Sequence, residues 1–180
     1  ARCSSSTGGW SPRPPSIHRV TPRRVVLIAA VAAVVFVLDR ITKGLVVANV
    51  PLHTSREMLG DWLRITHTQN SGSAFGLFQE RTTILSILSI VAVGAILYYY
   101  RAIAARSPLL AATLGMQLGG ASGNLVDRLG QGYVVDFVDA GVGSVRFWAF
   151  NVADSSIVVG IFLISGLLWL EERKASRAST

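Results

Sequence analysis

QLGGASGNLVDRLGQGYVVDFVDAGVGSVRFWAFNVADS, residues 117–155, leaves one apolar run and enters the next. Between the two it carries four aspartates (Asp127, Asp136, Asp139, Asp154), two arginines (Arg128, Arg146) and two asparagines (Asn124, Asn151). Ionisable groups at the edge of a bilayer are costly to keep and usually mark function. The reading of this stretch as two apolar helices joined by a charged, strand-bearing connection sets the reading of the rest.

The flanks fit a membrane protein. Of 180 residues, 51% are hydrophobic and 15% charged, and mean hydropathy is +0.48. A soluble domain would carry about 25% charged residues. The first apolar run needs residues 25–47 to cross a bilayer core, which takes about 20 helical residues. Thr82 to Tyr100 forms a second span ending in the interfacial triplet Tyr98-Tyr99-Tyr100. Pro108 to about Leu125 forms a third, with Gly115, Gly119, Gly120 and Gly123 giving it a small face for close helix packing. Val152 to Leu170 forms the fourth.

Between spans, Trp62–Gln69 alternates as a strand does, and GYVVDFVD and SVRFWAF read as two more strands turning at Gly141 and Gly143. The expected fold is therefore mainly α: four transmembrane helices with a small extracytoplasmic β-rich cradle. Residues 1–22 read as a disordered basic cytoplasmic leader, 23–172 as the four-span domain, and 173–180 as a cytoplasmic tail. The leader does not resemble a cleaved signal peptide, since no small-residue cleavage site follows a short apolar core.

The net charge of +7 sits mainly in short flanks rather than in a groove for nucleic acid. Arg2, Arg13, Arg19, Arg23 and Arg24 precede the first span, Arg101 and Arg106 follow the second, and Arg173, Lys174 and Arg177 follow the fourth. Four spans place all of these on one side, which the positive-inside rule makes cytoplasmic. Asp39, Asn70, Asp127, Asp136 and Asp154 then converge on the outer side.

The chemistry available is narrow. Cys3 is the single cysteine, and His18, His53 and His67 have no metal-ligand spacing, so neither a metal nor a cofactor is expected. Two carboxylates at close range cannot both ionise cheaply, and such a pair can activate water and protonate a peptide carbonyl without a metal. Asp136, in the apolar run Val134–Val138, suits the acid role, and Asp154 is held at the head of the last span. Asp136 with Asp154 ranks first as the pair, and Asp127 with Asp154 second. Asp127 is expected to pair with the adjacent Arg128, and Asp139 to be solvated. Asp39 and Lys43 have the spacing of a helical ion pair, which reads equally as a cap ending the helix. Small residues around Asn70 read as a site wall or as a plain turn. A proton or cation relay in a small transporter is the alternative use of such carboxylates.

Five blocks carry a resemblance: DRITK (39–43), QNSGSAFG (69–76), GGASGNLVDR (119–128), YVVDFVD (133–139) and FNVADSS (150–156). With these the chain resembles lipoprotein signal peptidase, the signal peptidase II family of bacterial aspartic membrane proteases. The resemblance implies removal of the signal peptide from diacylglyceryl-modified prolipoproteins, cutting before the lipid-modified cysteine. It implies Asp136 and Asp154 as the catalytic dyad and Asn70, Asn124, Arg128 and Asn151 as lining the site. Asp39 and Lys43 support it, and Asp127 is structural, as is Gly120 within its block. Arg40 is taken as a tolerant position. The expected setting is the bacterial cytoplasmic membrane, with both termini cytoplasmic and the active site near the outer face. Expected partners are the prolipoprotein and membrane lipids, with the enzyme acting as a monomer.

Overall fold

The computed structural model describes residues 20–72 and 82–178. The leader up to residue 19 and the second half of the QNSGSAFG block lie outside the described residues.

Among the described residues there are four long helices and a four-stranded sheet, with two strands after the first helix and two after the third. Helix α1 is Pro22–Asn49, α2 is Thr82–Ala104, α3 is Pro108–Gln131 and α4 is Val152–Ala178. Strands β1 (Ser55–Glu57) and β2 (Leu63–Asn70) lie between α1 and α2, and β3 (Val134–Val142) and β4 (Val145–Arg146) lie between α3 and α4. Each helix runs past its expected end. α1 starts on Pro22, whose fixed φ suits the first helical position. α4 continues through Trp169 into the expected tail, where the Arg173 guanidinium stacks 4.0 Å from the Trp169 ring centre.

The start and end of α3 are written locally. Ser107 accepts a hydrogen bond from the Leu110 amide at 3.1 Å, Pro108 takes the first turn, and Gly132 at φ 81° closes the helix in the left-handed conformation. α1, α2 and α4 are long and apolar enough to cross a membrane. α3 does not reach that apolarity, and it is the helix packed between the others. Its glycines explain the packing. A Cβ on Gly115 or Gly119 would lie 2.7 Å from Ile28 O or 2.5 Å from Ala32 O of α1, and on Gly120 it would lie 2.5 Å from Ala153 O of α4. α1 and α4 thus touch α3 at backbone distance, which only glycine permits.

The sheet has order β1-β2-β3-β4, every pair antiparallel. β2 is the strand expected at Trp62–Gln69, shifted by one residue. The last turn lies one step later than expected: Gly141 remains in β3 opposite Arg146, and Gly143, at φ 57°, turns the chain. Most of SVRFWAF is not strand beyond Arg146, because the chain must leave the sheet to start α4. Only Phe150 returns to pair with Val138. The sheet joins the helices through a small core of Val46, Val50 and Phe137, at the end where α1 stops and α4 begins. At the opposite end, Ile28, Ala104, Ala111 and Leu114 pack together, and Arg24 donates to the carbonyls of Ala104 and Ala105.

Candidate active site at the junction of sheet and helices

Asn151 joins the two leading aspartates. It precedes α4 and is fully buried. Its side-chain oxygen accepts from the Asp154 amide at 2.9 Å, and its own amide donates back to Asp154 Oδ2 at 3.2 Å. This reciprocal pair is a capping box, with Asp154 in the third helical position. The Asn151 side-chain amide points the other way and donates to Asp136 Oδ1 at 2.6 Å. One residue therefore holds an aspartate from β3 and an aspartate from α4.

Each aspartate has a second amide donor. Asn70, at the end of β2, donates to Asp136 Oδ2 at 2.8 Å. Asn124, on α3, donates to Asp154 Oδ1 at 2.7 Å. The Asn124 oxygen is occupied by the Lys43 ammonium at 2.9 Å and by Asn151 Nδ2 at 3.3 Å. An ammonium can only donate, so Lys43 holds the Asn124 oxygen and turns its NH2 toward Asp154.

Behind Lys43 lies a buried set of charges. Its ammonium is 2.7 Å from Asp39 Oδ2 and 2.7 Å from Asp127 Oδ2. The Asp39 contact is an ion pair without hydrogen-bond alignment, and the directed bonds go to Asn124 and Asp127. The Asp39–Lys43 pair does not end α1, which continues to Asn49. Asp39 instead reaches across to accept from the Ala153 amide at 3.0 Å, a first-turn donor of α4 left open by helix geometry. Gly123 makes room for this carboxylate, since a Cβ there would lie 2.8 Å from Asp39 Oδ2.

Two expectations need correction. Asp127 does not ion-pair with Arg128: its partners are Lys43 and Arg40. Adjacent helical residues point about 100° apart, and Arg128 is turned to the cleft beside Asp154 while Asp127 faces α1. Arg40, the position that the resemblance leaves tolerant, is the second partner of Asp127 in this chain. Asp139 is not solvated, because Arg146 Nε donates to it at 2.7 Å and Thr66 at 3.1 Å. Arg40 and Arg146 were the charged residues that sequence reasoning passed over. Their signal was an unpaired acid elsewhere in the chain, legible only once the fold had brought the two together.

Burial, with the nearby Asp154 charge, pushes the Asp136 carboxyl up to about 7, against the opposing pull of the Asn70 and Asn151 amides. Asp154 borders two clefts. One, of about 270 Å³, lies among Leu85, Leu88, Asn124, Arg128 and Ile157. The Arg128 Nε is buried there without a hydrogen bond among the described residues. The other, of about 450 Å³, is walled by Phe147, Trp148, Phe150, Val158 and Val159. Two aspartates, one with a raised pKa, thus meet at the boundary of polar and apolar surfaces. Among the described residues no group of three His, Cys, Asp or Glu is placed to hold a metal ion.

Comparison with known proteins gives this arrangement a family. The profile of Signal peptidase (SPase) II matches residues 31–170. A lipoprotein signal peptidase of Symbiobacterium thermophilum is 37% identical over 150 residues, covering 83% of this chain and 99% of that protein. One from Bacillus pumilus is 34% identical over 83% of this chain and 97% of its own length. A solved bacterial membrane enzyme aligns with a TM-score of 0.76 at 29% identity, over 86% of this chain and 92% of the other. The transport alternative finds no support in these matches. A chain matched over this length, carrying an aspartate pair at the junction of apolar helices and a small sheet, belongs to the signal peptidase II family of membrane proteases.

Proposed function

We propose that this chain removes the signal peptide from diacylglyceryl-modified prolipoproteins, cutting before the lipid-modified cysteine, with Asp136 and Asp154 as the catalytic dyad. The observation that carries the reading is the placement of both carboxylates on Asn151, at the point where β3 meets the head of α4. In this reading the dyad shares one proton. The ionised carboxylate takes a proton from water as the water oxygen attacks the scissile carbonyl, and the neutral carboxyl protonates the carbonyl oxygen. As the resulting diol collapses and the C–N bond breaks, the protonated carboxyl gives its proton to the leaving amine and the ionised one takes a proton from a diol hydroxyl, which restores the singly protonated dyad. The raised pKa of Asp136 suits it to hold the proton at rest. Arg128 lies on the rim of the Asp154 cleft, where it can hold a substrate carbonyl. The apolar cleft on the other side suits an apolar flank of the substrate.

All four helices cross the membrane in this reading. α3 has 24 residues, about 36 Å of helix, and Gly115, Gly119, Gly120, Gly123, Asn124 and Asp127 face protein rather than lipid. Arg24, Arg101 and Arg106 lie at the end away from the sheet, which the positive-inside rule makes cytoplasmic. The sheet and dyad then lie at the outer face, and both termini in the cytoplasm. One chain supplies every group named, so the enzyme acts as a monomer, without metal or cofactor.

The test uses purified protein in lipid vesicles with a diacylglyceryl-modified precursor. Wild type is expected to release the signal peptide, with no effect of a chelator. Asp136→Asn and Asp154→Asn are each expected to lower the rate by at least about 10³-fold, the scale of losing a group that acts as part of a unit. Near wild-type cleavage by either variant would overturn the dyad.

A further inference from the structure

The sheet carries an apolar rim that its own fold leaves uncovered. At the β1–β2 turn, Met58, Leu59 and Trp62 are 62%, 68% and 72% exposed. At the adjoining β3–β4 turn, Val145 is 80% exposed, followed by Phe147 at 58% and Trp148 at 54%. The two turns form one edge. The Gly143 amide donates to Asp61, the Gly141 amide donates to Trp62 O at 3.0 Å, and Arg146 donates to Asp61 O at 3.0 Å. Most charges of this edge are paired among themselves: Asp61 with Arg64 and Arg146, and Asp139 with Arg146, while the exposed Glu57 lies 3.9 Å from Arg64. Beyond Glu57, what the two turns expose is thioether, aliphatic carbon and aromatic ring.

The edge also lies low. Phe147 donates to Ala140 O at 2.7 Å, close to the turn at Gly143. Phe147 and Trp148 share a cleft wall with Val158 and Val159, which lie in the second turn of α4. The sheet is therefore folded back beside the head of α4 rather than projecting away from the helices. Phe147 and Trp148, which follow Val145, thus bring one end of the rim beside α4, whose Phe162 is 75% exposed.

We propose that this rim is a membrane-seating edge: Met58, Leu59, Trp62 and Val145 lie in the headgroup–acyl boundary of the bilayer that surrounds α4. Tryptophan is enriched at that depth because its ring is apolar and its N–H is satisfied by interfacial water. The partner is a lipid surface. Phe147 and Trp148 join this rim to the head of α4, so a soluble partner on the rim would have to end where lipid around α4 begins. Seating the rim presses the sheet against the bilayer and positions Asp136, on β3, against a substrate that arrives within the membrane. The inference rests on the proposed reading for its placement of α4 in the bilayer, and its main test does not require activity.

Single spin labels are placed at Leu59 and at Val145 in a Cys3→Ser background, with reference labels at Phe162 and at Arg56. The protein is reconstituted in phosphatidylglycerol–phosphatidylethanolamine vesicles, and collision of each label with oxygen and with a water-soluble nickel chelate is measured. The rim labels are expected to favour oxygen, as Phe162 does. Favouring the nickel chelate as the exposed β1 residue Arg56 does would overturn the proposal. So would spin–spin broadening at Leu59 that disappears on dilution with unlabelled protein, which would mark a second copy as the occupant. As a second readout, Leu59→Glu with Val145→Glu is expected to raise KM severalfold in vesicles, with KM unchanged in detergent micelles. Equal KM in both settings would also overturn it. If the wild type cleaves no lipoprotein precursor, the proposed substrate falls while the label result stands.

Discussion

At the residue scale, the site is built on amide side chains that hold carboxylates from two sides. Asn70, Asn124 and Asn151 each donate to one of the two aspartates, and Lys43 turns Asn124 into place. Asp136, titrating near 7 in the folded protein, has a definite pH consequence. If it holds the catalytic proton, kcat/KM falls as pH rises through about 7, because the acid is then lost; a pH–rate profile in vesicles checks this. Stability follows the same group. Its folded pKa lies above the ordinary value, so the native state binds the extra proton, and stability falls as pH rises from about 4 to about 7. Asp136→Asn removes that cost. The Tm gain of the variant over wild type is expected to be larger at pH 8 than at pH 5. A gain independent of pH would show that Asp136 does not titrate in this window. Lys43→Met leaves Asp39 and Asp127 buried without their ammonium, and breaking such a pair costs about 3–5 kcal/mol. A fall in thermal stability of that order is expected, measured in detergent.

At the element scale, α3 decides the geometry. Glycine is an ordinary liability in a helix, costing about 1 kcal/mol relative to alanine. At Gly120 it is required. A Cβ would sit 2.4 Å from Ser156 Oγ and 2.5 Å from Ala153 O, so α4 would have to move, and Asp154 with it. Gly120→Ala is expected to cost about 1–3 kcal/mol, as overpacking does, and to lower kcat. Gly44→Ala on α1 and Gly130→Ala on α3 meet nothing within 4 Å and are expected to be neutral or slightly stabilising. Equal effects at Gly120 and Gly130 in thermal melts would contradict close packing of α3 on α4. The head of α4 is capped three times over, by Asn151, by Asp154 and, from α1, by Asp39. The last of these ties the helix that bears one aspartate to a helix more than a hundred residues earlier.

At the scale of the whole molecule, three apolar helices surround a less apolar one, and the polar contents gather at the end that carries the sheet. The orientation we propose has a direct check. A membrane-impermeant thiol reagent is expected to label Arg56→Cys in intact spheroplasts of a Cys3→Ser strain. Cys3 of the parent chain is expected to react only after the membrane is opened. The reverse pattern would invert the topology and place the sheet on the cytoplasmic side.

The sequence by itself determined the order of the four helices and the place of β2 and β3, because apolar runs, strand alternation and Pro108 act locally; β1 and the last turns of the helices were not legible, since they depend on what packs against them. It also pointed to Asp136 and Asp154, since an acid in an apolar strand and an acid heading an apolar helix are each unusual in place. Tertiary structure alone decided the partners. Asp127 found Arg40 and Lys43 instead of its neighbour Arg128, Asp139 found Arg146, and Asp39 found the amide of Ala153. The physical reason is directional. A side chain's bearing on a helix or strand is set by its position, but what stands opposite is set by how α1, α3, α4 and the sheet pack. That packing rests on glycines whose small face the sequence shows, while the backbones that lie against it, those of α1 and α4, come only from the fold.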